Sequence, residues 1–155
     1  MSLSKDLFNG TWTIDEIPNQ FIDILKVLGY NAFERKYFQK NKMNIVCVLQ
    51  GDKLSINIKS VFYTKTKDYV LNGMPIEVDI EGQTVMEIAR WLDQTTIQIK
   101  TIFLDKNITI IETRQLLSTD QCLVTFCVLH SGDDDPIEVS MLYKRRGTSV
   151  PLWPP

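Results

Sequence analysis

An antiparallel all-β fold with two short helices near its start is what this sequence predicts, on three observations. From Met43 onward, short runs rich in β-branched and aromatic residues follow one another, and the clearest of them alternates strictly. The breaks between them, such as Gln50-Gly51-Asp52, Asp93-Gln94 and Asp105-Lys106-Asn107, are hairpin-sized. No later stretch has a helical period that could carry the chain across to a parallel neighbour, so the sheet should be antiparallel. Periodicity alone leaves a sandwich and a closed barrel both open.

The first strand candidate covers residues 11–17 and is introduced by Phe8-Asn9-Gly10-Thr11-Trp12. Glycine lets the backbone pass close to a neighbour, and tryptophan fills an apolar space. Pro18 and Asn19 break this run. Phe21, Ile24, Leu25 and Leu28 then recur at helical spacing, with Gly29 placed as a C-cap. Asn31 and Glu34 have the spacing of a capping box for a second helix that runs to about Phe38. Both helices are too short to persist alone in water and must pack on something.

Strand candidates follow at 43–49, 53–62, 63–71, 84–92, 96–104, 108–117, 123–130 and 137–145. In the second of these, Leu54, Ile56 and Ile58 share one face, and Ser55, Asn57 and Lys59 the other. Parity places Ile108, Ile110, Glu112, Arg114 and Leu116 together. It also groups Ile97, Ile99, Thr101 and Phe103; Met86 with Ile88; and Thr125, Cys127 and Leu129 as inward-facing sets.

At 155 residues the chain fits one domain with a sizeable core. It is 44% hydrophobic and 23% charged, an ordinary globular composition. The net charge of −2 gives no reason to expect a nucleic-acid partner. No segment has the length of a transmembrane helix, and the first residues lack the apolar core of a signal peptide. Cys47, Cys122 and Cys127 are odd in number, lack metal-ligand spacing and lie among apolar residues. Reduced, buried thiols in a cytoplasmic protein are the expectation. No cofactor or metal is expected. His130 is the single histidine and has no nucleophile and acid arranged around it, so no enzymatic role is expected.

Several segments in order resemble the intracellular lipid-binding proteins, the family of cytosolic fatty-acid-binding and retinoid-binding proteins within the calycins. They are Phe8-x-Gly10-x-Trp12; the Phe, Asp, Lys, Leu and Gly spacing of residues 21–29, followed without a gap by 30–35; Gln50-Gly51-Asp52; Ser60-Val61-Phe62; Thr113-Arg114-Gln115-Leu116-Leu117; and Tyr143. The resemblance implies a flattened up-and-down barrel of about ten antiparallel strands under a helix–turn–helix lid. It also implies a carrier of a hydrophobic small molecule such as a fatty acid or retinoid. The barrel would occupy residues 1–146, with a Pro-rich tail at 147–155. Chain length beyond that of most relatives falls around 73–82, at 118–119, at 133–136 and in the tail.

In that family two arginines and a tyrosine on the last strands hold the ligand's carboxylate. Arg114 and Tyr143 match the first arginine and the tyrosine, but Met141 stands at the second arginine's position. Arg114 and Glu112 form either a buried pair that lowers the interior's appetite for an anion, or a surface pair of little worth. Tyr143 is either a ligand donor or a core tyrosine bonded to Arg114. Phe62 resembles a portal aromatic, and Thr125 and Cys127 are counted with the cavity wall. Arg35, Lys36, Lys40 and Lys42 form a basic patch, read as a solvated helix face or, at a lid, as a transient contact with an anionic membrane. A monomer is expected. A barrel enzyme acting on a bound lipid and a ligand-free interaction module are the competing functions.

Overall fold

The computed structural model describes residues 4–14, 16–28, 30–40, 43–59, 64–80, 82–130 and 135–146. Ten strands run up and down: β1 (Gly10–Ile14), β2 (Asn44–Gln50), β3 (Lys53–Lys59), β4 (Thr64–Val70), β5 (Ile76–Ile80), β6 (Gln83–Asp93), β7 (Thr96–Phe103), β8 (Ile108–Leu116), β9 (Gln121–His130) and β10 (Ile137–Arg145). Two helices, α1 (Asn19–Val27) and α2 (Ala32–Lys40), stand between β1 and β2. The hydrogen-bonded order is β4-β3-β2-β1-β10-β9-β8-β7-β6-β5, antiparallel throughout. The first strand joins the last, which curls the meander into a flattened barrel and leaves β4 and β5 as its two edges. The expected architecture is what the chain adopts, and the choice between sandwich and barrel is settled by the β1–β10 ladder.

Strand β1 runs from Gly10 toward the helices, so its Gly10 end lies at the base and its Ile14 end under the lid. A 3₁₀ turn at Lys5–Phe8, which the sequence reading did not anticipate, packs against the base. There Phe8 meets Trp91 edge-on at 5.6 Å, and Trp12 is buried with its indole N–H donating to the Phe8 carbonyl at 3.1 Å.

The lid is held by the apolar stripe of α1. Phe21, Ile24 and Leu25 are buried, and Phe21 packs on Phe126 of β9 at 5.3 Å. In α2 only Phe38 is fully buried, edge-on to Tyr30 at 5.6 Å. The capping box forms as expected. Glu34 N–H donates to the Asn31 side chain at 2.8 Å, and Asn31 N–H donates to the Glu34 carboxylate at 3.1 Å. Asn31→Ala removes the first of these bonds and is expected to cost about 0.5–2 kcal/mol of helix stability. Amide exchange should then quicken in α2 ahead of the barrel strands; equal protection throughout would show that tertiary packing alone holds the helix.

Two strand assignments change. Residues 76–80, counted within the extra length at 73–82 and not among the strand candidates, form β5, because Ile-Glu-Val-Asp-Ile pairs along the first half of β6. In β6 the inward set is Val85, Glu87, Ala89 and Trp91, not Met86 and Ile88. By contrast, Leu54 and Ile56 of β3 and Ile97, Ile99 and Phe103 of β7 are buried on the faces parity assigned them. The tail at 147–155 lies outside the described residues.

Candidate ligand-binding site

A cavity of about 80 Å³ lies between the lid and the barrel wall. Its roof is Phe21 and Leu25 of α1 and Leu28 just after it, with Tyr30 and Phe38. Its walls come from Ile14, Met43, Ile45, Ile56, Ile58 and Phe126. Its polar lining is Lys67, Tyr69, Glu112, Arg114 and Tyr143. Small-molecule pockets are commonly about 300–1,000 Å³. A ligand of ordinary lipid size therefore enters only with displacement of the lid side chains.

Arg114 points inward from β8 and is buried. Its Nε donates to Glu112 at 2.7 Å, in a pair whose side chains are 7% and 15% exposed. The buried-pair alternative is thus the one realised. Burial is the largest single influence and opposes the guanidinium's charge, but Glu112 together with Tyr143 and Cys47 raises the Arg114 pKa well above its ordinary value. The guanidinium also lies over the Tyr143 ring at 5.4 Å. The Tyr143 hydroxyl makes no hydrogen bond to it and none among the described residues, so it is available to a guest. Burial raises the Tyr143 pKa, so the phenol stays protonated. Cys122, behind Tyr143 on β9, is likewise pushed up to about 12 by burial, which makes it an inert thiol at neutral pH.

Three residues expected in the wall are elsewhere. Thr125 and Cys127 face outward, and the Thr125 hydroxyl bonds with that of Ser140 at 2.9 Å on the barrel's outer surface. The inward set of β9 is Cys122, Val124, Phe126 and Val128. Both faces of this strand are apolar, so parity had nothing to distinguish them. Register decides: Phe126 lies opposite inward Val139 and meets Phe21 of the lid. Met141 is inward and buried at 2% exposure, yet packed in the core rather than on the cavity surface. Phe62 and Lys42 lie outside the described residues. Of the basic patch, Lys36 and Lys40 are exposed, whereas Arg35 donates to the Tyr30 carbonyl at 2.5 Å. Beside them Phe33 is 77% exposed and stacks on Tyr37 at 6.5 Å.

The sequence reading missed two interior charges, Lys67 on β4 and Glu87 on β6. The signal was present in Lys65-x-Lys67-x-Tyr69, whose two-residue beat places both lysines on the face of a buried tyrosine. Burial lowers the Lys67 pKa and raises that of Glu87, so each is drawn toward its neutral form. Among the described residues no group of three or more metal-ligating side chains forms, and no helix is long and apolar enough to cross a membrane.

No family model matches the chain. A curated protein, fatty acid-binding protein type 3 of Fasciola hepatica, is 28% identical over 79 residues, which are 51% of this chain. The match spans 59% of that protein's length. A Schistosoma mansoni fatty acid binding protein, solved in complex with arachidonic acid, superposes with a TM-score of 0.73 at 19% identity, covering 94% of this chain and all of the other. Apo lipid binding protein 8 of Caenorhabditis elegans gives 0.74 at 16% identity, with the same coverage. Secretory abundant heat soluble protein 4 of Ramazzottius varieornatus gives 0.70 at 14% identity, over 95% of this chain and all of that one. At these identities the structural likeness establishes the fold. The resemblance to the intracellular lipid-binding proteins is borne out by the ten-stranded meander, the two-helix lid and the partial alignment to a curated fatty-acid-binding protein.

Proposed function

We propose that the protein is a carrier of the intracellular lipid-binding family that holds a hydrophobic small molecule, a fatty acid or related lipid, inside its barrel. The observation that carries this is the lid-covered cavity, apolar above and around but ending on Arg114, Glu112 and the unbonded Tyr143 hydroxyl. The fatty acid bound to the S. mansoni relative supports the ligand class. Uptake proceeds by opening of α1 and α2, entry of the apolar chain and settling of the polar end among the interior charges. Among the described residues no acid–base set faces the cavity with its partners in place, which supports a reading in which the protein acts by binding. The site comprises Arg114, Glu112 and Tyr143, with the lid aromatics Phe21, Tyr30 and Phe38. Cytoplasmic location, a monomeric barrel at 1–146 and a separate tail at 147–155 belong to the same reading. The three unpaired thiols fit a reducing compartment.

Lys36, Lys40 and exposed Phe33 on α2 give the lid a basic, aromatic surface suited to transient contact with anionic membranes during ligand exchange.

Because Arg114 is already compensated by Glu112 and Met141 replaces a second cation, dependence on a free carboxylate should be moderate. Losing one charge-assisted partner is worth about 1.5–3 kcal/mol. Oleate is expected to bind more tightly than methyl oleate, by less than about a hundredfold. Competition against a fluorescent lipid measures this, and a larger preference would mean a second strong anion partner. The small cavity favours a second reading, an interaction module with a filled interior. Absence of binding to oleate, its methyl ester and its alcohol would select it.

A further inference from the structure

On the reading of the protein as a lipid carrier, the geometry points to Lys67, not Arg114, as the group that anchors an anionic ligand's head. Charges on the cavity lining settle which cation is available. Among the described residues of that lining, Lys67 and Arg114 are the cations and Glu112 is the carboxylate. Glu112 is committed to Arg114 at 2.7 Å. Lys67 makes no hydrogen bond or ion pair among the described residues. The lining therefore carries one surplus positive charge, and it sits on β4.

Position adds a second argument. The barrel's two unpaired edges, β4 and β5, are separated by a cleft of about 320 Å³ whose charged lining is Lys65, Lys67, Asp68, Asp79 and Glu87 among the described residues. Among the described residues, Lys67 alone lines both this cleft and the interior cavity. A carboxylate held at Lys67 keeps partial access to water through the cleft. At Arg114 it would be more deeply buried and would have to share the guanidinium with Glu112, which meets it there as a like charge. A guest carboxylate also relieves Lys67, whose charged form burial now disfavours. Glu87 faces the same cleft from β6 and opposes such a guest as a like charge. The ligand implied is a long-chain carboxylate lying with its tail under the lid and its head at the β4–β5 seam.

The test is binding of oleate and methyl oleate to the unaltered 155-residue protein and three variants. Lys67→Met should weaken oleate about ten- to a hundredfold and leave methyl oleate within about twofold. Lys67→Arg should restore most of the oleate affinity. Glu87→Gln should strengthen oleate by about threefold or more with methyl oleate unchanged, a gain that misfolding cannot produce. If Lys67→Met keeps the acid preference of the unaltered protein, the Lys67 assignment is overturned while the carrier reading stands. If the unaltered protein takes up neither lipid, the carrier reading falls and the assignment with it.

Discussion

Arg114→Leu is expected to remove about 3–5 kcal/mol of folding stability, because it leaves the Glu112 carboxylate inside the barrel without its partner. That is a large share of the roughly 5–15 kcal/mol that holds a typical domain together. Glu112→Leu should cost a similar amount by stranding the guanidinium. The double variant, Arg114→Leu with Glu112→Leu, should return close to the unaltered protein, since two leucines replace a pair whose desolvation offsets much of its attraction. Urea denaturation of all four proteins measures the coupling. Strict additivity of the two single losses would mean that the 2.7 Å contact contributes nothing in solution. Ligand binding gives a separate readout. The single Arg114→Leu variant should lose affinity for oleate and little for methyl oleate, because the uncompensated Glu112 repels an incoming carboxylate. The double variant removes that repulsion and keeps Lys67, so its preference for the acid should survive. Loss of the preference in the double variant would make Arg114 the anchor.

Much of this arrangement could be read from the sequence where one strand face differs chemically from the other. In β8 the run Ile108, Ile110, Glu112, Arg114, Leu116 set two charges in an otherwise apolar series, so parity put them on one face and favoured an inward one, while the choice between a buried and a surface pair fell to the structure. The Asn31–Glu34 capping box and the Phe21–Leu28 stripe were legible for the same reason: a specific chemistry at a specific spacing. Strands β6 and β9 gave no such contrast. Leu123, Thr125 and Cys127 on one face of β9 resemble Cys122, Val124 and Phe126 on the other, and only pairing with β10 and contact with the lid decide between them. A barrel whose outer wall also carries apolar side chains blurs the alternation on which a one-sided sheet relies. Strand β4 failed differently. Thr64-Lys65-Thr66-Lys67-Asp68 is polar on both faces, so a lysine aimed at the interior looks the same as one aimed at water. What distinguishes Lys67 is the curl of the sheet, which carries an edge strand over the cavity. That is a property of the closed meander, and within the strand the one hint is the two-residue beat that puts Lys65 and Lys67 on the face of buried Tyr69.

Trp12→Ala should be comparably damaging, at about 3–5 kcal/mol, yet without effect on the ligand. The indole is 2% exposed and fills the base of the barrel. Its N–H bonds the Phe8 carbonyl at 3.1 Å, and the Arg145 guanidinium lies over its ring at 4.3 Å. Arg145 in turn donates to the carbonyls of Leu7, Asn9 and Thr119, tying the 3₁₀ turn and the β8–β9 turn to the last strand. The backbone at Gly10 makes room for that guanidinium: Gly10 has φ +135°, and a Cβ there would collide with the Arg145 side chain. Truncating Trp12 therefore opens a cavity, frees the Phe8 carbonyl and removes the face on which Arg145 rests. Trp12→Phe keeps a ring for Arg145 and should lose less, with the missing N–H bond contributing about 0.5–1.5 kcal/mol of the difference. None of these groups lines the cavity beneath the lid. Oleate affinity, measured at a urea-free temperature where Trp12→Ala remains folded, should therefore stay within about twofold of the unaltered protein, the spread expected when a site more than one strand-turn away is untouched. A tenfold loss in the folded protein would mean that the base and the ligand cavity are energetically one unit, and that the barrel's floor moves when the lid opens.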